Sequence, residues 1–398
     1  MEKFMKKKDN IIYIITVIFS ALYIVFGNKF ATANRVDYGT TRTTGTPQKV
    51  RVTQVIDPEY EKVVYEGFET GDKIILFEAE YLKGFRKGDK FLAIQSIDSM
   101  YAIDMRVVQP GDKVIVYNNQ NAAVPDVRFM FAEFQRVDFI WLLCGAFVVL
   151  LLVLGRRNGV NTLVSLFFTV ASIFYVFIPA VLNEGNIYLW AISTCIYIIV
   201  MTLLIISGYS RKSLAAMIGC TSGVVMAGVL TFIASEICHL TGLTTEDSLY
   251  LLFLNQENPI DLKAVVFAAI ILGAVGAIMD VSMSLSSSLS EMKEQVGAMT
   301  ASQLTRSGMV IGRDIMGTMA NTLILAYIGS SLSVTLLLAA YNANNPLLLF
   351  NSEMILVELL QAVAGSLGIL LTIPLTSIVC GILYRGTEET EKVKYTEE

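Results

Sequence analysis

The order of apolar and polar positions divides the chain into stretches of different character. Four lysines, Lys3, Lys6, Lys7 and Lys8, precede an apolar run from Ile11 to Phe26. Residues 30–136 then alternate charges of both signs with short β-rich runs. From Asp138 the long apolar runs resume, at about 138–154, 160–182, 187–207, 213–235, 262–287, 314–341 and 354–384. A helix needs about 20 mostly apolar residues to cross the hydrocarbon core. The pattern predicts an α-helical polytopic membrane protein of about eight transmembrane helices, with a small all-β extracytoplasmic domain between helices 1 and 2. The expected boundaries are 1–29 for an N-terminal signal anchor, 30–136 for the β domain, 137–384 for a seven-helix membrane domain and 385–398 for a cytoplasmic tail. Ala31-Thr32-Ala33 also suits signal-peptide cleavage, but the apolar run before it is long for that role, which favours an anchor.

Inside 30–136, strands are expected at Lys49–Ile56, Lys73–Glu78, Phe91–Ile94, Tyr101–Val108 and Val114–Tyr117. Gly-Asp-Lys recurs at Gly71, Gly88 and Gly111, each time ahead of an apolar run. Glycine supplies a positive φ and aspartate bonds nearby backbone, so each reads as a tight turn launching a strand. The carboxylates lack an Asp-x-Asp ligand spacing and read as solvated turn residues.

Charge then orients the chain. Arg156-Arg157, Arg211-Lys212, Lys293 with Arg306 and Arg313, and the tail after Tyr384 fall on one side of the expected spans, together with Lys3 to Lys8. The opposite connections, Asn183–Asn186, Glu236–Asp261 and Asn342–Glu353, contain no Lys or Arg. Basic loops stay in the cytoplasm. Both termini are expected there, the β domain outside, and the protein in the plasma membrane. The hydrophobic fraction of 54% and charged fraction of 16% agree with several spans. A formal net charge of −5 with no basic tract leaves nucleic-acid binding unsupported. None of the five cysteines lies in 30–136, so that domain has no disulfide framework.

Two apolar stretches carry an unusual polar load. Asp280, Ser284, Ser287 and Glu291 follow helical spacing on one face, which Gly273 extends. Asp314, Thr318 and Asn321 repeat the pattern on the next helix. A rise of about 1.5 Å per residue from Lys263 puts Asp280 roughly 25 Å into a core of about 30 Å. Carboxylates at such depth face a bundle interior or a wet cavity. Plainer roles exist for the others. Asp314 suits the first turn of a helix, where the dipole stabilises it by about 0.3–1 kcal/mol. The serines can bond back to their own helix. Gly219 and Gly223, and the row Ala269, Gly273 and Ala277, suit close helix packing. On the last span, Glu358, Gln361, Gly365, Gly368 and Thr372 form a polar and small face, and Pro374 is expected to kink or loosen the helix beyond it.

Met279-Asp280-Val281-Ser282-Met283-Ser284 and Gly312-Arg313-Asp314-Ile315-Met316-Gly317-Thr318-Met319-Ala320-Asn321 resemble the YibE/F-like family of bacterial membrane proteins. The resemblance runs from about Asp138 to Tyr384 and includes Arg156-Arg157-Asn158-Gly159 and Pro179. It implies a multi-pass protein of the bacterial cell membrane, with residues 1–136 like the anchor and exported segment of the YibE type.

The leading expectation is a transporter or permease for a small solute or ion, with Asp280 and Asn321 in a polar intramembrane site that draws on Ser284, Ser287, Asp314, Thr318, Glu358 and Gln361. These are hard oxygen ligands, suited to H⁺, Na⁺ or Mg²⁺. The alternative is a non-catalytic export-assembly or sensor component acting through the external β domain. Enzymatic activity is not expected. An intramembrane aspartyl dyad needs two carboxylates nearly in contact, and Asp314 beside Arg313 suits that poorly; no Gly-x-x-x-x-Gly-Lys-[Ser/Thr] occurs. No cofactor and no metal site are expected, His239 being the lone histidine. The expected partners are the lipid bilayer, a small solute or ion, and a second multi-pass protein or further copies of the chain.

Overall fold

A computed structural model describes residues 2–33, 46–60, 64–65, 68–69, 73–97, 106–118, 127, 129–254, 258–297, 299–341 and 345–384. The chain forms two compact units, Asp37–Leu150 and the combination of Met1–Val36 with Leu151–Glu398.

The first unit holds strands β1 (Gln48–Tyr60), β2 (Val64–Tyr65), β3 (Phe68–Glu69), β4 (Lys73–Tyr81), β5 (Lys90–Ile97), β6 (Lys113–Asn118) and β7 (Phe129–Phe134). Five of them close a barrel in the order β1-β4-β5-β7-β6, with β5 and β7 parallel. This is the five-stranded Greek-key layout of OB-type barrels, a scaffold that does not by itself assign a ligand. Bulges in β1 between Val52 and Tyr60 bend it, so its first residues, Gln48 to Arg51, pair with β6 and Val50 to Tyr60 pair with β4. Val50, Val52, Phe77, Ala79, Val114 and Val116 alternate inward at period two and are buried. Gln95 is buried among them, 2% exposed, because Val108 N–H donates to its Oε1 at 2.9 Å and its Nε2 donates to the Arg106 carbonyl at 3.0 Å.

Four expected strands coincide with β1, β4, β5 and β6. The fifth does not: of Tyr101–Val108, residues 101–105 lie outside the described residues and 106–108 are not a strand. The barrel is closed instead by β7, whose aromatics Phe129, Phe131 and Phe134 pack on the core. This strand lies inside the expected β domain, though not among the expected strands. Gly88 and Gly111 take φ of +91° and +97° in turns, and Gly71 lies outside the described residues.

The second unit begins with α1 (Glu2–Ala31). Helix α2 (Val137–Ser172) starts within the barrel unit and breaks at Arg156, where φ is 47° and ψ −121°. Beyond the break the chain doubles back, and a methyl on Gly159 would strike the Leu151 carbonyl. A π turn at Ile173–Phe177 leads to α3 (Ile178–Leu182), α4 (Ile187–Ser207), α5 (Arg211–Ile237), α6 (Glu246–Leu254), α7 (Leu262–Val296), α8 (Ala301–Ser330), α9 (Leu332–Tyr341), α10 (Pro346–Asn351) and α11 (Glu353–Leu383). Among the described residues, six helical segments are long and apolar enough to cross a membrane: Asn10–Ala31, Val137–Leu182, Ile187–Ser207, Arg211–Ile237, Leu262–Val296 and Glu353–Leu383.

Helix α1 docks beside the later part of α2. Arg157 donates to Asn10 Oδ1 at 3.1 Å and Asn28 donates to the Tyr175 carbonyl at 2.6 Å, so the two segments run in parallel. Tyr23 stacks on Tyr197 of α4 with ring centroids 3.9 Å apart.

The expected span 314–341 requires correction. Helix α8 starts at Ala301, because Thr300 and Gln303 form a capping box, and it ends before Ser331, where α9 begins. Arg306 and Arg313 therefore sit in helix, not in a connection. Asp314 stands in mid-helix, which removes the first-turn dipole as its explanation. The expected connections 236–261 and 342–353 contain the short helices α6 and α10. Helix α11 continues through Pro374.

Gln95→Leu should lower barrel stability by about 1–3 kcal/mol, since it strands a buried carbonyl and N–H; hydrogen exchange at β5 and β6 reads the loss. Lys90 and Thr53 both donate to Glu78 Oε1 at 2.7 Å, Lys90 having the larger effect, and hold its carboxyl below the ordinary 4.5. The stability Glu78 adds is complete above 4.5 and is lost as pH falls through the lowered value. Glu78→Gln should remove that part of the acid-side loss in thermal melts of the full chain.

Candidate functional site

Helices α5, α7, α8 and α11 meet through small residues. A methyl on Gly219 would strike Thr376 and Ser282, and one on Gly223 would strike Thr372 and Ile278. Gly312 lies against Ile373, Gly308 against Ser377 and Leu289, and Gly368 against Ala227 and Ile278. Glycine at these points lets neighbouring backbones approach closely. The expected packing role of Gly219 and Gly223 is what the structure shows, and Gly365, Gly368 and Thr372 are likewise buried in packing.

Hydroxyls on the buried side of α7 tie three helices together. Ser282 donates to the Ala216 carbonyl of α5 at 3.1 Å and lies 2.8 Å from Thr376 Oγ1 of α11. One turn on, Ser286 donates to the Lys212 carbonyl at 2.7 Å and lies 2.8 Å from the Tyr384 hydroxyl. Both serines are fully buried. The serine run in the sequence does not single them out. Their spacing from Ile278 and Leu285 on the apolar face is the signal that does.

The polar stripe occupies the opposite face of α7. Ala269, Gly273, Gly276, Asp280, Ser284 and Glu291 are exposed and Ser287 is half-buried, whereas Ile278, Val281, Leu285 and Leu289 are buried. Asp261 caps the start of this helix by accepting from Ala264 N–H at 3.2 Å, and Gly297, with φ +75°, ends it. On α8, Arg306, Arg313, Asp314, Gly317, Thr318, Asn321 and Thr322 are exposed, while Leu304, Gly308, Gly312 and Leu323 face inward. Thr318 bonds back to the Ile315 carbonyl. Among the described residues no hydrogen bond or ion pair joins Asp280 to Asp314, Thr318 or Asn321, and no group of three or more His, Cys, Asp or Glu side chains could hold a metal.

Contacts along the α7–α8 hairpin set its register. Leu289 meets Gly308 and Gly273 meets Tyr327, so the helices run antiparallel. Asp280 is then level with Gly317 and Thr318, and Ser284 with Asp314. The two stripes share levels without touching.

A second polar group lies further along. Gly273 is flanked by the Tyr327 hydroxyl and the Gln361 amide. The hydroxyl is buried with no hydrogen-bond partner among the described residues. Glu358 neighbours both Tyr327 and Ser331. The structure thus gathers Glu358 and Gln361 with Tyr327, Ser331 and Gly273, and keeps them apart from Asp280. Tyr327 was not among the expected site residues, since a tyrosine in an apolar run reads as an interface anchor.

A family model described as YibE/F-like protein matches residues 143–386, more than half of the chain and all of α5, α7, α8 and α11. The chain belongs to the YibE/F-like family. Most of α2 and every later helix of this YibE/F-like chain fall inside the match, while α1 and the barrel lie before it. No curated protein and no solved structure matches the chain.

The two faces of α7 should respond differently to substitution. Ser282→Ala removes bonds to α5 and α11 and should cost about 0.6–1.7 kcal/mol, the range of interhelical hydrogen bonds in membranes. Ser284→Ala, on the exposed face, should leave the melting temperature in detergent unchanged.

Proposed function

We propose that this YibE/F-like protein is a permease for a small solute or ion, with polar groups of α7, α8 and α11 forming its path. The observation that carries this reading is Asp280, which is exposed at the end of the long apolar stretch of α7 and has no partner in the chain among the described residues. Ionisable groups at membrane depth mark ion and substrate pathways. Thr318 and Asn321 on α8 supply further oxygen ligands, and Tyr327, Gln361 and Glu358 form a second station nearer the opposite end. No part of this reading requires a covalent step or a cofactor.

The same reading takes the chain across the plasma membrane eight times. The break at Arg156 divides α2 into two spans and α8 with α9 supplies another. Both termini are then cytoplasmic, as the Lys and Arg distribution favours, and the barrel is extracytoplasmic. The seating of α1 on α4 through Tyr23 and Tyr197 supports its retention as an anchor.

A second reading is favoured by the barrel, a closed unit with its own core. In it the protein is an export-assembly or sensor component that binds through this domain.

Proteoliposomes carrying separate H⁺, Na⁺ and Mg²⁺ indicators test the first reading. A flux of one ion is expected, and Asp280→Asn with Asn321→Ala should reduce it at least about tenfold, a barrier change of about 1.4 kcal/mol. Flux unchanged by the double substitution would overturn the role of these residues. Absence of flux of any of the three ions, with partner binding that is lost on deleting residues 46–134, would favour the second reading.

A further inference from the structure

The exposed faces of α7 and α8 pose a physical problem for a single copy of the chain. Helix α8 is not among the segments apolar enough to span a membrane, and its exposed side carries Arg306, Arg313, Asp314, Thr318, Asn321 and Thr322. Helix α7 is apolar overall, yet its free side carries Asp280, Ser284, Ser287 and Glu291. Polar side chains facing hydrocarbon are costly, so such faces are covered by water or by protein.

The charges on the two faces are complementary in sign. The α7 stripe is acidic, at Asp280 and Glu291, and the α8 face carries two arginines, Arg306 and Arg313, against one carboxylate, Asp314. None of these five forms an ion pair among the described residues. Their levels also match. From the contacts of Leu289 with Gly308 and of Gly273 with Tyr327, Glu291 is level with Arg306, Ser287 with Val310, Ser284 with Asp314, and Asp280 with Thr318. A two-fold axis parallel to the helices preserves level. It therefore brings α7 of one copy against α8 of the other in this same register, twice over. Small residues suit the contact, since nothing lies within 4 Å of an added methyl at either Gly276 or Gly317.

We propose that the exposed polar faces of α7 and α8 are covered by the same faces of a second copy of this chain. The contact is a two-fold dimer in which Glu291 pairs with Arg306 of the partner subunit and Asp280 meets Thr318 of the partner subunit. The inference uses the same helices as the permease reading but does not depend on transport. It completes the surroundings of Asp280 from a neighbouring chain.

Mass measurement of the purified full-length protein, in detergent and in lipid nanodiscs, tests it directly. A dimer is expected. Arg306→Glu should shift it to monomer, and adding Glu291→Arg to the same chain should restore the dimer; both variants should keep the wild-type melting profile of the monomer unit. A second assay uses membranes containing two differently tagged copies, one with Ser284→Cys and one with Asp314→Cys, both with Cys144→Ser and Cys238→Ser. Oxidation should link the two tags, and a control pair at Met226 of α5 should not link. A wild-type monomer in both media would overturn the proposal, as would crosslinking of Ser284→Cys only to a different protein. Ion flux plays no part in either readout, so a failed dimer and a failed permease are distinguishable.

Discussion

The close approach of α5, α7 and α11 is the constraint on which the rest of the helical unit depends. Hydrocarbon offers no hydrophobic drive for one apolar helix to leave lipid for another, so packing and interhelical hydrogen bonds hold such bundles together. Here glycines at 219, 223 and 368 bring the backbones near enough for Ser282 to bridge Ala216 and Thr376, and for Ser286 to bridge Lys212 and Tyr384. The bonds form only because the glycines allow the approach. The approach in turn buries hydroxyls that need those bonds.

This arrangement decides what α7 offers to its surroundings. With one side committed to α5 and α11, the remaining polar side chains turn outward, and α8 presents a matching polar side next to it. The hairpin thus separates structural hydroxyls from free ones within a single serine run. Asp280 belongs to the free set, and so do Asp314 and Asn321. Tyr327, Gln361 and Glu358 form a separate group around Gly273, one that spans three helices and is hidden in any single one.

Much of this was legible in advance. The apolar runs marked α1, α2, α4, α5, α7 and α11 because length and composition alone limit what can cross a membrane. The Gly-Asp-Lys turns at Gly88 and Gly111 and the period-two strands marked most of the barrel. Two features escaped for definite reasons. Strand β7 lies inside the expected β domain, but its Phe-Met-Phe-Ala run lacks the apolar–polar alternation that marks a half-buried strand. The first turns of α8 are polar, and only the Thr300–Gln303 cap and the inward contacts of Leu304 and Gly308 make them helix.

The sequence by itself determined the division into barrel and membrane unit, the family, and the helical spacing that sets Asp280, Ser284 and Ser287 on one face, since these follow from local period and composition. Only the tertiary structure decided which face of α7 is buried, that Ser282 and Ser286 are ties between helices, and that Glu358 and Gln361 gather around Tyr327. Those outcomes depend on contacts between residues about 30 to 100 positions apart, such as Tyr327 with Gln361 and Ser282 with Ala216 and Thr376. A helical period fixes which side chains share a face, and the neighbour that covers that face is chosen elsewhere in the chain.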